Sequence, residues 1–439
     1  LGVFLGLVFL TKAEFAVAAV FSTITGFLLL LWFQKEPWKY NVIKLTLFLL
    51  GIIMSLLIAF LLLYTRMSAS NAMTGLLGSW IGIVKADLRE MIFYRQLMGA
   101  DNLVGNVKTM FVSFGLLVLV YVPAVTFSLM NQLSKKQDAI IGLILLAGTI
   151  LASIFFINFL VSLGPFMMRS LPLILFCLIV IEVIRLRFQY RQSTDAAVTI
   201  LRLTLLIFAL LLLLKIFFRV DPSQYGFALA MPGTIILVLL LVDWLPASLE
   251  QKGKTGTILR LFSIGIILIF CGIHILVSGF WYNKTTVEIK TDTASFYADV
   301  RGNIVQDIIK EIENHTSPED TLAVLPEGVM LNFLTQRKNP TPYINFMPPE
   351  FALFGELNML NAFQTNPPDY IVLTNKSLKE YGFQEAGIDI GVDLYLWIDK
   401  NYTLIKYIEF ESGGDMPFTS MRLLHRIQPK DSNHLNPAS

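Results

Sequence analysis

The 439 residues are 55% hydrophobic and only 15% charged, with a mean hydropathy of +0.65. That balance excludes an ordinary water-soluble protein. A formal net charge of +2 with no basic tract gives no reason to expect a nucleic-acid partner.

The apolar residues gather into runs of about 20, the length that crosses a hydrocarbon core of roughly 30 Å. Leu1 lies inside such a run with no charged leader before it. Residues 1–10 therefore read as the end of a membrane segment that begins upstream, not as a signal peptide. A polar break, Thr11-Lys12-Ala13-Glu14, precedes spans at about residues 15–32 and 42–64. In the loop 66–108, Leu77, Trp80, Ile81, Val84, Leu88, Ile92 and Leu97 recur at helical spacing. This is the pattern of an amphipathic helix at the membrane interface or of one packed on protein; Trp80, Phe93 and Tyr94 favour the interface.

Six further spans are expected near 110–129, 140–161, 171–184, 200–218, 227–244 and 261–280. The count is about eight full spans plus one partial. One set of loops carries Lys35 and Lys39; Lys135 and Lys136; Arg185, Arg187 and Arg191; and Lys252, Lys254 and Arg260. By the positive-inside rule these loops are cytoplasmic. The 66–108 loop, the 219–226 turn and all that follows Trp281 are then extracytoplasmic. Near the cytoplasmic helix ends, Glu182 and Asp243 read as structural and Arg202 as a snorkelling cation.

From residue 282 the composition becomes that of a soluble domain. The fold class is thus a mainly α polytopic membrane domain, 1–281, followed by a small α/β domain, 282–439. Helices are expected over 300–314, 329–337, 350–363 and 392–400, and strands over 321–325, 343–346, 370–373, 404–410 and 421–427. Glu327, in the turn Pro326-Glu327-Gly328 that ends a strand, is a turn-and-cap residue or touches a ligand.

The stretch 203–232 carries the chemistry. Lys215 and Arg219, spaced i, i+4, share one side of a helix. A polar turn with Asp221 and Tyr225 follows, and then a second apolar helix. Ionisable groups at the bilayer edge need a reason. Snorkelling is one; an anionic ligand such as a lipid phosphate, gripped by the Arg fork and the Lys point charge, is the other. Cys177 and Cys271 lie inside apolar runs without metal-ligand spacing. No metal-ligand cluster is visible.

Several motifs fall in a familiar order. They are Gly6-Leu7-Val8-Phe9-Leu10-Thr11-Lys12; Phe93-Tyr94-Arg95 with Gly99-Ala100-Asp101; and Leu214-Lys215-Ile216-Phe217-Phe218-Arg219 with Tyr225-Gly226-Phe227-Ala228-Leu229-Ala230-Met231-Pro232. The soluble domain adds Leu325-Pro326-Glu327-Gly328, Pro367-Pro368-Asp369-Tyr370-Ile371-Val372-Leu373 and Trp397-Ile398-Asp399-Lys400-Asn401-Tyr402. Together they resemble the membrane glycosyltransferases of the GT-C fold, in the bacterial branch related to protein O-mannosyltransferases and the lipid A aminoarabinose transferase.

The resemblance implies transfer of a sugar, with inversion, from a polyprenyl-phosphate donor to a glycolipid, protein or glycan acceptor on the extracytoplasmic face of a bacterial inner membrane. It implies an acidic general base in the first extracytoplasmic loop, which falls before Leu1, so the catalytic residue is unknown here. Lys215, Arg219, Tyr225 and Lys12 would bind the donor phosphate; Lys12 has Glu14 as an alternative partner. Gln224 stands where the family often has His. Arg95 and Asp101 would shape the donor or acceptor site, a solvated helix face being the plainer reading, and Arg169 would snorkel. A divalent cation could screen the donor phosphate. The alternatives are a lipid or glycan transporter or flippase, for which no internal repeat is apparent, and a non-catalytic membrane scaffold.

Overall fold

A computed structural model describes residues 1–33, 37–84, 88, 90–130, 135–155, 166–189, 193–221, 226–409 and 420–427. The chain divides into two units. The first comprises Leu1–Val84 and Tyr94–Val277, the second Lys85–Phe93 and Ser278–Ser439.

The first unit is helical. In order its helices are α1 (Gly2–Thr11), α2 (Ala13–Phe33), α3 (Trp38–Tyr64), α4 (Ala69–Val84), α5 (Ile92–Met98), α6 (Leu103–Met130), α7 (Lys135–Phe155), α8 (Leu171–Gln189) and α9 (Ser193–Leu213). Then come α10 (Gly226–Leu239), a π-helical turn (Leu240–Trp244), α11 (Leu245–Gln251) and α12 (Thr257–Tyr282). Among the described residues, seven helical stretches are long and apolar enough to cross a membrane. The expected span at 140–161 begins within α7, and its last part lies outside the described residues.

Two corrections concern helix ends. The span expected from residue 110 begins at Leu103, because the polar loop before it is itself helical. The helix expected to run to residue 218 stops at Leu213 and tightens into a 3₁₀ turn, Leu214–Ile216.

Small residues set the packing of the first helices. Gly2 meets Phe48 and Gly6 meets Ser55, so α1 and α3 run parallel. A Cβ at Gly6 would stand 2.7 Å from Ser55 Cβ, so only glycine allows this approach. Ser55 Oγ then donates to Val3 O at 3.1 Å, across the interface. Between α2 and α9 the order is reversed: Glu14 meets Lys215 and Gly26 faces Thr204, so this pair is antiparallel. A core of Leu171, Leu175, Leu206, Leu213, Leu229 and Ile236 joins α8, α9 and α10. Leu47, Ile53, Leu57 and Leu61 of α3 face outward. In water that surface would be costly; in hydrocarbon it is matched to its solvent. Mainly α, polytopic and membrane-spanning, with a small α/β unit after it, is therefore the architecture.

The second unit contains a hairpin, β1 (Val287–Lys290) with β2 (Ser295–Ala298), that was not expected from the sequence. After α13 (Gly302–His315) come β3 (Leu322–Leu325), α14 (Met330–Thr335), α15 (Pro348–Phe354), α16 (Glu356–Thr365), β4 (Tyr370–Thr374), α17 (Val392–Asn401), β5 (Tyr402–Glu409) and β6 (Ser420–Arg426). The sheet order is β3-β4-β6-β5, with β3 and β4 parallel and the other pairs antiparallel. Strand alternation divides the core. Leu322 and Val324 meet Ile304, Ile308 and Ile312 of α13 on one face. Ala323 and Leu325 meet Phe363, Leu394 and Ile398 on the other. Burial on both faces explains the uninterrupted apolar run of β3.

The strand expected at 343–346 does not form. Asn339 instead donates to Tyr343 O at 2.8 Å, and Phe346 N reaches Pro326 O at 2.8 Å, which uses the backbone in irregular structure. The helix expected over 350–363 is two helices broken at Gly355.

Two aromatics of the 66–108 loop pack on protein rings. Trp80 stacks on Phe9 with centroids 4.5 Å apart. Phe93 lies 5.0 Å from Tyr381 within the second unit. Glu327, in the turn after β3, forms an ion pair with Lys376 at 3.0 Å, and the helix that follows has Val329 at its N-cap and no side-chain cap.

Candidate functional site

The antiparallel packing of α2 on α9 brings the break at Lys12 to the end of α9. Lys12 is extended, which stops α1 and allows α2 to begin at Ala13. Ala13, Ala16 and Ala18 are buried, so the α2 backbone approaches its neighbours closely. Glu14 sits in the first turn of α2, where a carboxylate is favoured by the helix dipole. Lys215 Nζ donates to Glu14 Oε1, and both side chains are largely withdrawn from solvent. Lys12 lies within electrostatic reach of the same carboxylate. Glu14 thus stands between two cations.

The 3₁₀ turn changes what the i, i+4 spacing delivers. Arg219 N donates to Ile216 O at 3.0 Å, an i→i+3 bond outside the α-helix. Ile216 and Val220 are both buried by the turn. The turn thus interrupts the α-helical spacing between Arg219 and Lys215, whose side chain goes to Glu14.

Arg219 and Asp221 both lie within electrostatic reach of Arg169. Arg169 precedes α8 and feels the charges of both. Its backbone is fixed by Arg169 N to Phe166 O at 3.2 Å, and Ser113 Oγ of α6 donates to the same Phe166 carbonyl at 2.6 Å. Two guanidinium groups near one carboxylate leave a local excess of positive charge.

The third wall is the turn between α5 and α6. Gly99 has φ +74° and presses on the chain at Phe218 and Arg219; a Cβ there would lie 2.9 Å from Arg219 Cβ. Backbone conformation and space both demand glycine. Asn106 Nδ2 donates to Gly99 O at 2.9 Å and reaches Asp101 Oδ1 at 3.5 Å, so the exposed Asp101 is held beside the turn that backs Arg219. Arg95 contributes its backbone carbonyl to Ala100 N at 2.8 Å, while its side chain is exposed. Tyr225 and Gln224 lie outside the described residues.

Of the residues singled out from the sequence, the structure joins Lys215 with Glu14, within electrostatic reach of Lys12, and sets Asp101 beside Asn106 in the turn that backs Arg219. Arg169 is the residue that sequence reasoning missed as a partner of Arg219. Its signal was its place before α8, on the same side of the bundle as Arg219, which snorkelling explained equally well. Among the described residues no group of three His, Cys, Asp or Glu side chains is placed to hold a metal ion. Neither a family model, nor a curated protein, nor a solved structure matches this chain.

Proposed function

We propose that the protein is an inverting, integral-membrane glycosyltransferase that moves a sugar from a polyprenyl-phosphate donor to an acceptor at the extracytoplasmic face of a bacterial inner membrane. The observation that carries this reading is the close packing of the Gly99 turn on Arg219 at one end of the helices, with Arg169 within electrostatic reach of it. Two like charges kept together at a membrane surface suit an anionic ligand, and guanidinium forks fit phosphate.

In the reaction the acceptor oxygen forms a bond to the sugar C1 from the face opposite the phosphate. The C1–O bond breaks, and its electron pair stays on the phosphate. Arg169 and Arg219 stabilise the negative charge that grows there. A carboxylate base takes the acceptor proton. Asp101, held by Asn106 in the turn that backs Arg219, orients sugar or acceptor hydroxyls. Lys215 supports the site through Glu14 rather than by direct contact with phosphate.

The test is transfer in proteoliposomes from radiolabelled polyprenyl-phosphate sugars, supplied as a panel. Arg169→Ala and Arg219→Ala are each expected to lower kcat by about 100-fold, the usual cost of removing one charge-stabilising donor. Full activity in both variants would refute the phosphate site. Donor movement across the bilayer without covalent transfer would instead select the flippase reading.

A further inference from the structure

At the other end of α8, α9 and α10 lies a cavity of about 420 Å³. Its walls carry Glu182 and Arg185 from α8, Arg202 from α9, and Asp243 and Trp244 from the π-helical turn. The sequence reading of Arg202 as a snorkelling cation is corrected here. Its guanidinium lies 4.8 Å over the Trp244 ring and 3.7 Å from Glu182 Oε1. Arg185 donates to the same oxygen at 2.7 Å. Glu182 itself is only 2% exposed, and its second oxygen, Oε2, is buried without a hydrogen-bond partner. A buried carboxylate oxygen without a donor is costly.

The π-helical turn is braced rather than loose. Leu245 N reaches back to Leu240 O, an i→i+5 bond. Ser263 Oγ donates to Leu241 O at 3.1 Å and Arg260 Nε to Val242 O at 3.1 Å, both from α12. Such turns insert an extra residue into a helix and re-aim the side chains that follow. Here they set Asp243 and Trp244 on the cavity wall.

We propose that this cavity binds the headgroup of an amine-bearing phospholipid, with its phosphate on Arg185 and Arg202 and its ammonium on Asp243 and Glu182. Two cations and two anions line one space, which matches a zwitterion with both charges. An ammonium offers the donor that Glu182 lacks, after a small rotation of that side chain. The cavity lies toward the ends of helices long enough to cross a membrane and holds a Trp, an aromatic of the type that favours the headgroup region. The proposal is independent of the sugar-transfer reading.

The test is native mass spectrometry of the full chain released from nanodiscs with equal phosphatidylethanolamine, phosphatidylcholine and phosphatidylglycerol. Phosphatidylethanolamine is expected to be retained about tenfold over phosphatidylcholine, which has no N–H to donate. Asp243→Asn changes an exposed group and should reduce that ratio to near one without shifting the melting temperature; Arg185→Gln should reduce it as well, with a lower melting temperature because the buried Glu182 loses a partner. Equal retention of the three lipids by the unaltered protein overturns the proposal. So does a preference that survives both substitutions. Soluble phosphoethanolamine should leave the lipid in place; complete displacement at equal concentration would assign the site to a soluble phosphoamine and overturn the lipid assignment.

Discussion

Glu14 and Lys215 stand 201 positions apart in the chain and share a hydrogen bond in the fold. Composition placed each at a membrane edge, but only the antiparallel packing of α2 on α9 could pair them. The same packing gives Lys215 a carboxylate partner of its own. A double-mutant cycle tests that pairing. Glu14→Gln and Lys215→Met are each expected to cost about 1–2 kcal/mol, between an exposed and a buried ion pair. The double variant should cost less than the two together, because the second change removes a partner already lost. Thermal unfolding in detergent reads the coupling; strictly additive losses would mean that the two side chains do not interact. Side-chain partners so far apart in sequence are the part of the candidate site that a single sequence does not reveal. Positions such as Gly99 are different: the sequence marked the Gly99-Ala100-Asp101 turn, and the fold supplied its neighbour.

At the level of elements, long apolar runs were readable because length and hydropathy alone decide them. Their ends were not. Leu213 and Leu214 are equally apolar, and what ends α9 there is a change from i→i+4 to i→i+3 bonding that lets Ile216 and Val220 bury together. The hairpin of β1 and β2 was missed for another reason: its strands have only four residues each, so the alternation of Val287 and Ile289 with Glu288 and Lys290 is too short to stand out, and β2 is mostly exposed. The contact of α1 with α3 rests on backbone proximity. Gly6→Leu is expected to force these helices apart at a cost of about 1–3 kcal/mol. Gly78→Ala, where nothing lies within 4 Å, is the control and should gain about 0.5–1 kcal/mol from helix propensity. Melting midpoints of the two variants measured side by side decide it: similar shifts would remove the close-packing account of α1.

For the whole molecule, the alternation of the spans and the positive charge of one set of loops make a directional prediction. After Cys177→Ala and Cys271→Ala, which remove two exposed thiols, a single cysteine can be placed at either end of the bundle. Thr65→Cys should react with a membrane-impermeant maleimide in intact cells. Lys254→Cys should react only after permeabilisation. The reverse pattern would put the Arg169–Arg219 pair in the cytoplasm and remove the extracytoplasmic transfer reaction. Fold class was legible at this scale because solvent preference is written in composition. The chemistry was legible only as a set of charged residues near one membrane face, since which cations meet is settled by helix register.

The strand order of the second unit bears on its biosynthesis. β6, the last strand in chain order among the described residues, lies between β4 and β5 rather than at the sheet's rim. Until residue 426 has left the ribosome, β4 keeps an open edge beside two hydrophobic layers. A nascent chain halted after β5 would offer that edge to any passing strand. Quality-control proteases and chaperones would therefore meet this unit as an unfinished sheet until β6 is made, and a stop codon before residue 420 would leave it in that condition permanently.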